Sequence, residues 1–191
     1  MLREVPRVWG AGKQSMAATT IALIGYRGTG KTTIARLLAL RLAYDWVDAD
    51  VEVELAIGMS IAEFFEQAGE ERFREVEARV VAELCGRART VLALGGGAVL
   101  RDDNCRRLSD CGAVVWLRAS AETLQRRIGH DPSSLGRRPN LTNYGGQSEI
   151  EALLAQREPI YRACATLEVD TEDRTPDEIA DEIVAALGHA G

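Results

Sequence analysis

Eight consecutive residues constrain this chain more than any others: "GYRGTGKT", Gly25 to Thr32, fits the pattern G-x-x-x-x-G-K-[ST]. The pattern carries chemical meaning only between a strand and a helix, and here the apolar run "TIALI" (20–24) precedes it and a helical stretch follows. Gly25, Gly28 and Gly30 allow backbone conformations that aim N–H groups inward. The following helix adds a positive dipole end, Lys31 neutralises phosphate charge and Thr32 can ligate Mg²⁺. Gly28, Thr29, Gly30, Lys31, Thr32 and Thr33 are therefore expected to hold the phosphates of a nucleoside triphosphate. Only Lys13 and Lys31 are lysine among 23 Lys plus Arg residues, so a chain that otherwise uses arginine places lysine in this loop. A glycine-rich turn without a ligand would not need Lys31 and Thr32 together.

The same alternation continues downstream. "WVDA" (46–49), "TVLAL" (90–94), "AVVWL" (113–117) and "TLEVD" (166–170) read as strands, several of them apolar at consecutive positions, as in a sheet covered on both faces. Longer amphipathic stretches separate them. Ser60, Ser148 and Thr175 each offer a helix cap with a glutamate three residues on, and Pro176 suits a first helical position. The pattern predicts an α/β fold with a parallel sheet. At 191 residues and 46% hydrophobic content, one domain over 20–191 is expected, preceded by a loose extension over 1–19 in which Met16 is an alternative start.

Composition excludes several function classes. A net charge of -6 argues against a general binder of nucleic acid or anionic membrane, which would carry a basic field. No apolar run approaches the roughly 20 residues of a membrane span. Cys85, Cys105, Cys111 and Cys164 lack CxxC spacing or nearby histidines, so neither a zinc site nor a disulfide framework is expected, and a cytoplasmic setting is the simplest. His130 and His189 are too isolated to suggest a metal cluster.

Four further features bear on the second substrate. Asp48 and Asp50 sit at the end of the second strand, where the ligand crevice of a parallel sheet opens, although a DxD there also suits a solvated turn. Arg74 precedes Glu77 by one helical turn, the spacing of a surface ion pair as well as of a binding pair. Gly95, Gly96 and Gly97 follow a strand directly and remove side chains where a ligand could approach the backbone. From Arg118 to Arg138 there are five arginines against Glu122 and Asp131, in a Gly/Pro-interrupted segment suited to closing over a polyanion.

These pieces, in this order, resemble the shikimate kinases within the wider nucleoside monophosphate kinase group. The resemblance runs from about Thr20 to Leu187 and rests on "GYRGTGKTT", "DAD", "FREVE", "GGG", "RRP", "REPIY" and "DRTP". It implies a three-layer P-loop kinase fold, a five-stranded parallel sheet flanked by helices, with a mobile lid over about 127–147. It also implies ATP with Mg²⁺ and transfer of the γ-phosphoryl group to the 3-hydroxyl of shikimate. On this likeness Asp50 binds the acceptor hydroxyls and is the candidate base, Thr32 ligates Mg²⁺ directly and Asp48 lies near it through water. Arg74, Arg157 and Gly96, flanked by Gly95 and Gly97, match the shikimate-binding set. Glu77 orients that pocket, and Phe65 and Phe73 form its apolar wall. Arg138 matches the lid arginine that reaches ATP and, with Lys31 and Asp50, completes the catalytic set; Arg127 and Arg174 resemble positions beside the adenine. A monomer acting on small molecules is expected.

The acceptor's chemistry fits independently, since two forked guanidiniums suit one carboxylate, Asp50 suits hydroxyls and Gly96 lets backbone approach. Two positions depart from the family pattern. The segment after "RRP" is the longer, more polar "NLTNYGG", and Arg27 stands in the loop where smaller residues are common, its charge expected to face solvent. A kinase of gluconate or another polyol acid would share the nucleotide half but should lack the joint "FRxxE", "GGG" and "RxPxY" set. A regulatory module that had lost catalysis should have lost Lys31, Asp50 or Arg138, and all three are present.

Overall fold

The computed structural model describes residues 20–130 and 146–188. Its strands are β1 (Thr20–Ile24), β2 (Asp45–Asp48), β3 (Thr90–Ala93), β4 (Gly112–Arg118) and β5 (Leu167–Asp170). They form one parallel sheet in the order β2-β3-β1-β4-β5. Between them run α1 (Lys31–Leu42), α2 (Ala49–Ile57), α3 (Ile61–Leu84), α4 (Asp102–Cys111), α5 (Ala121–Gly129), α6 (Gln147–Cys164) and α7 (Pro176–Ala186), with a short 3-10 turn at Ala98–Leu100.

Every residue of β1 is buried, because its alternating side chains feed two different cores. Ile21 and Leu23 pack with Val91, Val115, Leu117 and Val169 under α1 and α7. Ala22 and Ile24 face the other way, with Leu92, Val114 and Trp116 beneath α2, α3, α4 and α6. Each fully buried Leu or Ile stabilises the sheet by roughly 1.5–3 kcal/mol. The two cores make the sheet the middle of three layers, and β1, its central strand, delivers the loop at its carboxyl end.

The expected strands are all present, with ends shifted by a residue or two. Two of the three expected helix caps are also present, each with the reciprocal bonds of a capping box: Ser60 with Glu63, and Thr175 with Glu178. Ser148 is not a cap. α6 begins at Gln147 after Gly146, whose φ of 128° only glycine adopts readily, and no side chain caps it. α3 is broken at Gly69 (φ 79°, ψ 171°) and resumes at Glu70. Of the span 127–147 expected to be a lid, Arg127 to Gly129 belong to α5 and Gln147 to α6; residues 131–145, including Arg137 and Arg138, lie outside the described residues. So do the expected extension over 1–19 and His189. Among the described residues no helix is long and apolar enough to cross a membrane.

Candidate active site

The loop between β1 and α1 is shaped by its neighbours as much as by its own sequence. Gly25 has φ 137°, and a Cβ there would run into the backbone carbonyl of Leu117 on β4, so no other residue fits. The Thr29 hydroxyl donates to Tyr26 O at 2.8 Å, closing the turn. Lys31 Nζ donates to Gly25 O at 2.9 Å and Tyr26 O at 2.8 Å, which holds the ammonium across the mouth of the loop. Thr33 is exposed on the first turn of α1. Arg27 is half-buried with its Nε enclosed, and it lines a cleft with Gln125, Ile128 and Glu149.

Asp48 links the loop to the start of α2. Its Oδ2 accepts from Thr32 Oγ1 at 2.8 Å, while its Oδ1 accepts from Asp50 N at 3.0 Å and so caps α2. Thr32 and Asp48 together offer a hydroxyl and a carboxylate, hard oxygen donors of the kind Mg²⁺ takes. Among the described residues no cluster of three or more His, Cys, Asp or Glu could hold a metal by itself. The pair therefore fits a cation that draws most of its ligands from phosphate and water. Asp50 lies not at the strand end but in the first turn of α2, half-buried.

The spacing of Arg74 and Glu77 on α3 proves to be no surface pair. Glu77 is 2% exposed and Arg74 9%, and Arg74 Nη1 donates to Glu77 Oε2 at 2.7 Å. Burial opposes the Arg74 charge, but attraction to Glu77 and hydrogen bonds to Glu77 and Glu70 outweigh it, so its pKa lies above the ordinary arginine value. The Arg74 guanidinium lies flat against Gly97, where any Cβ would collide with it. Gly96 in turn abuts Gly25 O and the Arg27 backbone, joining the glycine turn to the phosphate loop. Phe65 and Phe73 stack at 4.5 Å between ring centroids, with Phe73 buried beside Ala49 and Val53 of α2. Arg157 on α6 stands over the Tyr26 ring at 5.7 Å.

Two residues escaped the sequence reading. Tyr161, one helical turn after Arg157, donates its hydroxyl to Gly96 O at 2.5 Å and thereby fixes the glycine turn. Its spacing in "REPIY" was the available signal. Glu172, after β5, accepts from Ser120 N at 2.8 Å and from the Ser120 and Thr123 hydroxyls, capping α5 from another segment. Arg127 of α5 reaches the same segment, donating to Thr171 O at 2.7 Å and Thr171 Oγ1 at 2.9 Å. Arg174 donates to Asp170 O at 3.1 Å and pairs with Glu182. Both arginines thus converge on residues 170–182, while Arg138 is outside the described residues.

Contacts therefore connect Lys31, Thr32, Asp48, Asp50, Arg74, Glu77, the glycine turn and Arg157 around the carboxyl ends of β1, β2 and β3. A family profile described as "Shikimate kinase" matches residues 27–188. This chain belongs to the shikimate kinase family. A shikimate kinase from Nitrobacter winogradskyi is 44% identical over 173 residues, covering 91% of this chain and 78% of that protein. The solved shikimate kinase from Acinetobacter baumannii in complex with shikimate superimposes with a TM-score of 0.84 at 34% identity, covering 92% of this chain and 96% of that one. A gluconokinase from Sinorhizobium meliloti aligns with a TM-score of 0.60 at 18% identity, covering 91% and 93%, and so shares the fold alone.

Proposed function

We propose that this chain transfers the γ-phosphoryl group of ATP to the 3-hydroxyl of shikimate, giving shikimate 3-phosphate and ADP. The observation that carries the reading is the buried Arg74–Glu77 pair pressed against Gly97, beside the phosphate loop. A guanidinium desolvated this way is a carboxylate receptor, and family membership names an acceptor that has one.

Loop N–H groups and Lys31 hold the phosphates, while Arg74 and Arg157 hold the carboxylate. Thr32 directly, and Asp48 through water, would hold Mg²⁺, which supplies charge neutralisation between the phosphates. Asp50, in the helical turn that Asp48 caps, receives or aligns the acceptor hydroxyl and its proton. Such a transfer needs mostly positioning and electrostatic stabilisation. The reading further assigns Arg138 to the transferring phosphoryl group and Arg127 and Arg174 to the adenine side. It places a monomer in the cytoplasm.

The test is a coupled ADP-release assay offering shikimate, gluconate and nucleoside monophosphates in turn, with and without Mg²⁺. Metal-dependent turnover confined to shikimate is expected. Faster turnover of gluconate or of a nucleotide would overturn the assignment.

A further inference from the structure

Arg74 has more carboxylate around it than its buried partner supplies. Glu77 takes Nη1, and a second acid, Glu70, takes the opposite edge: its single Oε1 accepts from Nε at 3.3 Å and from Nη2 at 3.1 Å. The two carboxylates are unlike. The Glu77 side chain is 3% exposed and its bond short, whereas that of Glu70 is 58% exposed and its two contacts are long. With the Glu70 end in solvent and both contacts long, the pair is expected to contribute about as little as an exposed one, about 0–1 kcal/mol, and is readily exchanged.

The Nε–Nη2 edge is the one two-donor edge of this guanidinium that Glu77 does not share, so a carboxylate seeking a two-pronged contact competes with Glu70 for it. Glu70 also has somewhere to go. Gly69 interrupts α3, so Glu70 opens the resumed helix, where a negative charge is favoured by the helix dipole even without Arg74.

We propose that Glu70 is an affinity-determining residue, an internal carboxylate that occupies the substrate edge of Arg74 and is displaced by the carboxylate of the acceptor. It keeps the buried guanidinium paired when no acceptor is bound and raises the acceptor concentration needed for half-saturation. This inference rests on the acceptor assignment above and extends it to a residue outside the matched motifs.

The test compares Glu70→Gln with the wild type and with Glu71→Gln, an exposed neighbour that forms neither a hydrogen bond nor an ion pair with Arg74. Steady-state kinetics give KM and kcat, and calorimetry gives shikimate affinity without nucleotide. The expected result for Glu70→Gln is a shikimate KM and Kd lowered roughly two- to fivefold, the equivalent of the exposed pair's contribution. Values of kcat and the ATP KM should stay put. The methyl ester of shikimate, which has no carboxylate to compete, should bind both forms alike. An unchanged or raised shikimate KM, or an equal gain in Glu71→Gln or for the ester, would overturn the proposal: the first makes Glu70 a support for Arg74 and the second makes the effect a general field. Failure of the acceptor assignment is separately visible, as wild-type protein that neither binds nor phosphorylates shikimate.

Discussion

On the β1–α1 side the site is held by backbone: carbonyls anchor Lys31, a neighbouring strand limits Gly25, and side chains matter mainly as Lys31 and Thr32. On the α2–α3 side it is held by charge, with a buried guanidinium clamped between two carboxylates and a glycine turn pinned by a tyrosine. A nucleotide tail presents the same phosphates to every such loop, so main chain suffices. An acceptor is individual and needs side chains whose identity can vary. A gluconokinase at 18% identity shares the fold alone.

The sharpest cut between the halves falls at Asp50. Asp50→Asn keeps its backbone bond to Asp48, so ATP affinity measured by calorimetry should change less than twofold while turnover drops on the order of 10²–10⁴-fold. Normal turnover in this variant would remove Asp50 from the chemistry.

Breaking the backbone half comes next. Gly25→Ala places a Cβ against Leu117 O at a strained φ, and should destabilise the chain by about 3 kcal/mol and weaken ATP binding at least tenfold. A denaturant titration alongside nucleotide binding checks both.

Glu77→Ala breaks the other half by leaving Arg74 buried with only the exposed Glu70 beside it. A loss of about 3 kcal/mol is expected, since stranding one member of a buried pair is costly. The shikimate KM should rise about tenfold, with the ATP KM close to wild type. Equal effects on both substrates would erase the distinction between the halves.

The smallest effect is a pH dependence at the start of α5, away from both halves. Hydrogen bonds from Ser120 N and Thr123 Oγ1 lower the pKa of Glu172 below the ordinary 4.5. A depressed folded-state value means that the stabilisation is in place above about pH 4.5 and fades as pH falls through the folded pKa. Acid unfolding followed by circular dichroism should show a shallower loss below pH 4.5 in Glu172→Gln, whose stability should already be lower near neutrality.

The backbone-held half was readable in sequence because its information is contiguous: strand, glycines, Lys31 and Thr32 occupy neighbouring positions, and local geometry does the rest. Parallel strands and two of three caps were readable for the same reason. Asp48 touching Thr32 joins positions sixteen apart; the rule that ligands gather at strand ends pointed Asp48 toward the crevice without announcing this bond. What spacing could not reveal was burial. The turn separating Arg74 from Glu77 is the same on a wet or a dry helix face, and only tertiary packing, with the glycine turn pressed on the guanidinium, makes it dry. Cross-chain supports such as Tyr161 on Gly96 and Glu172 on α5 depend on tertiary approach, so nothing local announces them. Ser148 misled because its hydroxyl had the right spacing while Gly146 took the turn.

Asp48 joins two requirements in a single side chain. One oxygen faces the threonine of the phosphate loop; the other fastens the peptide of Asp50. One carboxylate thus ties the phosphate loop to the start of α2, and on the proposed reading it would set the short interval between a metal at Thr32 and an acceptor hydroxyl at Asp50.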